Sequence, residues 1–251
     1  MHVRILLAVA RRVLTQLRND PRSIAMIVVV PSFLLVVVRF LYDNETLQPG
    51  QPATFDRVGP ILLGIFPFVV MFLITSITML RERTSGTLER LLASPLGKGD
   101  LLFGYGLAFS LMAVLQAAFT CGVAYWLLGM TTEGSPWLVV LVAVVNAVLG
   151  VSLGLLCSAF AHTEFQAVQF MPVVVVPQFL LCGLLVARDQ MADWLEAIAN
   201  ALPMTYSVEA LSEISRHADP TGTMWRDLGI VAGCAVVALS LAAVTLPRAS
   251  R

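Results

Sequence analysis

Charge is what this sequence has least of. Of 251 residues only 13% are charged and 58% are hydrophobic, about half the charged share of an ordinary soluble domain, which excludes a chain folded in water around one core. The 16 basic and 16 acidic residues cancel, so no net field favours nucleic acid, and sign carries information only by position. Histidine is scarce: His2, His162 and His217 all lie outside the apolar runs, leaving no imidazole base for a nucleophile buried among them. Cys121, Cys157, Cys182 and Cys234 sit in apolar runs at no metal-ligand or redox spacing and read as small buried side chains. No catalytic residue, bound metal or cofactor is expected on this chain. No Asp or Glu falls inside an apolar run, so the carboxylate relay of a proton-coupled carrier is missing. A phosphate-cradling G-x-x-x-x-G-K-[ST] loop is missing as well, because the run Leu96 to Gly99 lacks the upstream glycine and the following hydroxyl. Any energy source must reside on another chain.

What remains is apolar length. About 20 mainly apolar residues cross the hydrocarbon core as a helix, and six runs qualify: 23–42, 58–80, 103–128, 137–161, 166–187 and 228–246. The fold class is therefore an all-α integral membrane protein with six transmembrane helices. Eleven of the sixteen basic residues precede the first run, follow the second or follow the sixth. If the spans alternate, all eleven share one side, and the bias of Lys and Arg toward the inner face puts both termini in the cytoplasm of a cell membrane. The opposite segments are acidic, with seven carboxylates against Arg188, Arg216 and Arg226 between residues 188 and 227.

Residues 1–22 form an amphipathic pattern. Arg4, Arg11 and Arg18 recur at seven-residue spacing, and Leu6, Val9, Ala10, Val13 and Leu17 lie opposite, as suits a helix lying along the cytoplasmic membrane surface. The segment runs directly into a span with no small-x-small cleavage site, which argues against a removable signal.

Residues 81–100, RERTSGTLERLLASPLGKGD, carry seven charges. At about 2.5 to 3.5 kcal/mol per charge at the bilayer centre, they belong in a cytoplasmic loop. Inside that loop Leu88, Leu91 and Leu92 recur at i, i+3 and i+4, a short helix entered near Thr84 or Ser85 and stopped by Pro95. A helix this brief does not persist alone. Its leucines pack either on the protein's own spans and lipid headgroups or on a partner.

The same residues resemble the loop after the second span in permeases of type-2 ABC exporters, nearest the drug-resistance branch. There an R-E-x-x-x-G-T-L-E-x-L-x-x-(S/T)-P-like run forms the coupling helix that docks on an ATPase subunit. Arg81, Glu82, Gly86, Thr87, Leu88, Glu89, Leu91, Leu92, Ser94 and Pro95 match in place, Arg90 lies among them, and Thr84 stands where the family often has an acid. A second likeness lies between the fifth and sixth runs, where Gly183, Met191, Trp194, Pro203, Tyr206 and Glu209 fit the family's external helix pair and Ala192 replaces a frequent proline. The resemblance covers nearly all of residues 1–251 as one membrane domain. It implies a six-span permease working with two ATPase subunits that carry ATP and Mg, and with a second permease copy or paralogue. The cargo it implies is a drug-like or lipid-like amphiphile, with polysaccharide or lipid-linked glycan as the alternative. It also implies that the external helices re-enter the outer leaflet, whereas the residues alone equally suit a lid on the membrane surface.

Within the runs the polar residues are uncharged. Gln116, Asn146, Gln169 and Gln178 either hydrogen-bond between helices or line a path for cargo. Pro31, Pro67, Pro172 and Pro177 each remove a backbone donor and can bend their spans. The run Gly150 to Gly154, GVSLG, fits the G-x-S-x-G pattern of a nucleophilic serine and is the one feature that would suit an intramembrane serine hydrolase. Gly150, Gly154 and Ser158 equally form a small-xxx-small ridge for close helix packing, which is the reading the missing base favours.

Overall fold

The computed structural model describes residues 3–45, 53–87 and 98–245. Among them the structure is helical, with no strand. Helix α1 (Val3–Arg18) precedes α2 (Pro21–Leu41), α3 (Thr54–Thr84) and α4 (Lys98–Gly122), the last prolonged by a π-turn at Val123–Leu127. Then follow α5 (Pro136–Ser158), α6 (Glu164–Leu181), the short α7 (Asp193–Ala201) and α8 (Pro203–Arg216), and finally α9 (Gly222–Thr245). Six of these, α2 to α6 and α9, are long and apolar enough to cross a membrane. They correspond in order to the six runs.

The helix ends follow local chemistry. Asp20 caps α2, accepting from the backbone N–H of Arg22 at 3.2 Å and of Ser23 at 3.3 Å and from the Ser23 hydroxyl at 2.7 Å, while Pro21 takes the first helical position. Those bonds, led by the Ser23 hydroxyl, hold the Asp20 carboxyl below its ordinary value. Thr163 caps α6 through Gln166 N–H at 3.2 Å. Helix α3 ends at Thr84 with Ser85 as its C-cap, and Gly86 follows with a φ of 70°, in the left-handed region that favours glycine there.

Several boundaries differ from the sequence expectation: α6 stops at Leu181 rather than 187, α4 begins at Lys98 rather than 103, and two others run past the expected span for one reason. Helix α3 runs on through Arg81, Glu82 and Arg83, and α9 starts early enough to include Arg226 and Asp227. Hydropathy ends a span at the first charges, but a helix continues wherever those charges find partners.

At the centre α3 packs against α5. A Cβ on Gly150 would run into the carbonyl oxygen of Phe68, and one on Gly154 would meet that of Phe72 at 2.6 Å, so the two backbones approach as closely as the glycines permit. In each of these helices 61% of the apolar window is buried, against 22% for α2, 17% for α6 and 22% for α9. The chain thus has an inner pair and an outer set whose faces lie open to lipid or to another subunit.

Helix α1 does not rest on lipid with its apolar face. Val9, Ala10, Val13 and Leu17 are buried against Leu101, Leu102 and Tyr105 of α4. At Gly104 a Cβ would stand only 2.8 Å from Val9. The arginine-bearing face remains outermost, with Arg4, Arg11 and Arg18 exposed.

Candidate functional site

The end of the bundle beside α1, here called the basal end, contains the start of the charged stretch. Glu82, in the last turn of α3, is buried and accepts from Arg12 Nη2 at 3.2 and 3.3 Å and from Gln16 Nε2 at 3.2 Å. Arg12 and Gln16 are one turn apart on α1, so a single helix face grips one carboxylate. Tyr105 of α4, also fully buried, stands beside the same pair. Arg81 reaches Glu164 at the start of α6 through Nε at 2.8 Å and Nη2 at 3.1 Å, the two-pronged geometry natural to a guanidinium and a carboxylate. Arg83 donates to the Ser158 carbonyl at the end of α5. Three consecutive charged residues therefore fasten the base of α3 to α1, α6 and α5.

Beyond them Thr84 donates back to the Leu80 carbonyl at 3.2 Å, and the hydroxyls of Ser85 and Thr87 lie 2.9 Å apart. Thr84 is thus the last residue of α3 rather than the cap of a new helix. Of the expected coupling residues, Arg81, Glu82, Gly86 and Thr87 are placed. Leu88, Glu89, Arg90, Leu91, Leu92 and Pro95 lie outside the described residues.

The intramembrane polar residues sort into three kinds. Asn146 is fully buried and binds three helices together, donating to the Gly64 carbonyl of α3 at 2.8 Å and accepting from Ser207 of α8 at 2.9 Å. Gln178 is also buried and donates to Val174 at 3.2 Å within α6. Gln116 is buried on α4 with neither amide atom hydrogen-bonded. Gln169 alone of the four is exposed, on the open face of α6 beside Pro172 and Val173. Ser152 donates to Val148 at 2.9 Å inside α5, so the G-x-S-x-G run is continuous helix and not a strand-to-helix elbow. Ser158 is buried at the C-terminal end of α5, with its hydroxyl on the Leu155 carbonyl at 2.6 Å.

At the opposite, distal end, Pro203 opens α8, and the Tyr206 hydroxyl donates to the Asn200 carbonyl at 2.7 Å. These contacts fold α7 back against α8. Trp194 and Ile198 of α7 point outward, uncovered by this chain, whereas Val208, Leu211 and Ile214 of α8 are buried. Leu211 packs on Gly64 and Ser207 bonds Asn146. Both partners are ten residues inside their helices, or about 15 Å at 1.5 Å per residue. Helix α8 thus descends between the span ends. Around it Arg188 pairs with Glu209 and donates to Asn200 at 3.1 Å, and Arg226 pairs with Asp227 at 2.8 Å. A cavity of about 380 Å³ opens beside this end, lined by Asp56, Arg57, Thr131, Glu133 and Arg216 among others.

Sequence reasoning missed Arg12, Gln16 and Asp227. The four-residue spacing of Arg12 and Gln16 on a strongly amphipathic helix was the available signal for the first two. Asp227 had none, since it is fully buried while its sequence neighbour and ion-pair partner Arg226 stays exposed.

Comparison with known proteins agrees with this architecture. A family model described as ABC-2 type transporter matches residues 4–215. ABC transporter G family member 20 of Dictyostelium discoideum is 28% identical over 175 residues, covering 68% of this chain and 24% of that protein. A probable multidrug ABC transporter permease of Escherichia coli is 26% identical over 171 residues, 68% of this chain and 46% of its own. A linearmycin resistance permease of Bacillus subtilis is 26% identical over 137 residues, 55% of this chain and 35% of that one. The matched region therefore spans between a quarter and a half of these relatives' length.

Proposed function

The chain belongs to the ABC-2 type transporter family, and from that premise we propose that it is the permease subunit of an ATP-driven exporter, moving a drug-like or lipid-like amphiphile outward across the cell membrane. The drug-resistance names of two relatives and an interior without a charged relay support this cargo class. In this reading the ATP and Mg sit on separate ATPase subunits, and two permeases, identical or paralogous, form the passage between them. The basal end is cytoplasmic. The motors grip the segment Leu88 to Leu92, with Arg90 and Glu89 setting charge contacts and the leucines supplying buried area.

The observation that carries the reading is the fastening at the base of α3. A push on the loop after Gly86 meets a helix end pinned to α1, α5 and α6 through Glu82, Arg83 and Arg81, so displacement passes to several spans as one body and switches access from inside to outside. Gln169, on the open face of α6, would touch cargo or the second permease. Asn146 and Gln178 serve instead as interhelical ties, and Trp194 and Tyr206 position the external helices.

Replacing Leu91 by Asp tests the docking assignment. Inserted protein at normal yield with ATP-driven export abolished is the expected outcome, since a charge cannot enter a leucine-lined contact. Normal export by Leu91→Asp would refute it.

A further inference from the structure

The cavity of about 380 Å³ at the distal end is walled by four separate pieces of chain. The first turns of α3 supply Arg57, Val58 and Ile61, the loop between α4 and α5 supplies Glu133, and the last turn of α8 supplies Arg216. Leu184, just past the end of α6, forms the remaining wall. The loop is held at both ends. Asp56 accepts from the Thr131 backbone N–H at 2.9 Å and from the Thr131 hydroxyl at 2.7 Å, one bond to each carboxylate oxygen. The Gly134 N–H donates to the Ile214 carbonyl of α8 at 2.9 Å, and a Cβ on Gly134 would stand 2.6 Å from that oxygen. The walls are therefore in place before a ligand arrives, which lowers the cost of binding one.

Three charges in this cavity are uncommitted. Arg57, Glu133 and Arg216 are exposed and take part in no ion pair among the described residues. Glu45 lies near enough to attract Arg57, yet its carboxylate accepts from Thr54, and Asp56 is engaged by Thr131. Two guanidinium groups and one carboxylate thus remain, the complement of a head that carries an acid beside an amine. Val58, Ile61 and Leu184 give the same cavity an apolar side, and the chain around Leu184 exposes Leu180 and Leu185 where α6 ends. An apolar tail can leave the cavity there toward lipid. The volume is near the lower end of the roughly 300–1,000 Å³ range of small-molecule pockets, so it takes a head and leaves the tail outside.

We propose that this cavity binds the amphoteric head of an amphiphile, with the acidic group on Arg57 and Arg216 and the amine on Glu133. Such a head belongs equally to a cargo molecule on its way out and to an aminophospholipid of the outer leaflet. The inference deepens the export reading and rests on it only for the choice between these two. Binding is measured on the chain without its ATPase, so a failure to export leaves the site standing, and a failure to bind leaves the export reading untouched.

The test uses the full chain in dodecyl maltoside micelles near neutral pH and three ligands with one tail: dodecylphosphoethanolamine, dodecyl phosphate and dodecylamine, with affinity read by thermophoresis. The wild type should bind the phosphoethanolamine about fivefold more tightly than the phosphate, the upper end of what one exposed ion pair supplies, and the amine most weakly. Arg57→Gln combined with Arg216→Gln should weaken the phosphoethanolamine by roughly tenfold or more. Both side chains are exposed and in no ion pair, so this variant should keep the wild-type melting temperature. Glu133→Gln should abolish the advantage of the phosphoethanolamine over the phosphate, and Arg22→Gln, at the basal end, should bind as the wild type does. In proteoliposomes with the ATPase subunit, ATP-driven movement of the bound phosphoethanolamine marks cargo and retention through turnover marks a resident lipid; either result keeps the site. Equal affinity of the wild type for all three heads overturns the proposal, and so does unchanged binding by the double variant. Glycerophosphoethanolamine, a head without the tail, should bind only weakly. If it matches the dodecyl compound, the ligand is a water-soluble zwitterion and the amphiphile is excluded.

Discussion

Helices α3 and α6 are both apolar spans carrying two internal prolines, yet they are built for different surroundings. The α3 window is 61% buried and α6 only 17%. Helix α3 meets its neighbours through glycine-lined backbone contact and a three-helix hydrogen-bond tie. Helix α6 leaves Gln169, Val173 and Val176 exposed, and is fastened at its ends by Glu164 to Arg81 and by Gln178 to the backbone N–H of Met204 at 3.4 Å. The contrast separates scaffold from working surface. In α3 the backbone at Gly64 and the carboxylate of Glu82 are engaged by this chain's own helices, whereas α6 leaves the Gln169 amide exposed.

Substitutions should expose the contrast in order of size. Gly150→Leu places a side chain against the Phe68 carbonyl, a backbone group that cannot step aside. Overpacking of this kind costs on the order of 3 kcal/mol, so folded yield in detergent should collapse. Survival of Gly150→Leu with an unchanged melting temperature would remove the inner pair from the account. Asn146→Leu strands the Ser207 hydroxyl and the Gly64 carbonyl together. With membrane-interior hydrogen bonds worth about 1 to 2 kcal/mol, a clear drop in melting temperature is expected, and Asn146→Asp should not rescue it because its carboxylate lacks the donor that Gly64 needs. Gln169→Leu should leave stability within about 0.5 kcal/mol, as for surface sites, while changing export. If the melting temperature falls as far as for Asn146→Leu, α6 belongs to the scaffold after all.

The smallest effect concerns pH. Asp20 is held below its ordinary value of 3.8 by the Ser23 hydroxyl and the capping N–H groups. Its folded value is depressed, so its contribution is fully present above the unfolded value and is lost as pH falls through the folded one. Asp20→Asn should therefore flatten the fall in melting temperature below pH 3.8 and do little near neutrality. An unaltered acid limb would dismiss the cap.

Much of this was legible in residue order, and the parts that were not share a cause. Six apolar runs gave six spans because the cost of exposing backbone polar groups to lipid leaves helices no alternative. Where a span ended was hidden, since Arg81, Glu82, Arg83, Arg226 and Asp227 read as water-facing until their partners are known. The apolar stripe of α1 was plain, but that Gly104 of α4 would receive it was not. Asn146 and Gly64 are 82 residues apart, and nothing local distinguishes a tie between helices from the lining of a path. Among the coupling residues, the pattern did not disclose that Glu82 turns inward to Arg12 and Gln16 while Arg81 stays exposed on Glu164.

The central claim, that a motor pushes on the loop after α3, is most directly tested by labelling. In a background with Cys121, Cys157, Cys182 and Cys234 replaced, Leu91→Cys should resist a membrane-impermeant thiol reagent in intact cells and react once the cells are opened, with protection when the ATPase subunit is bound. Labelling of Leu91→Cys from outside intact cells would place the loop where no ATPase can reach it and contradict the account.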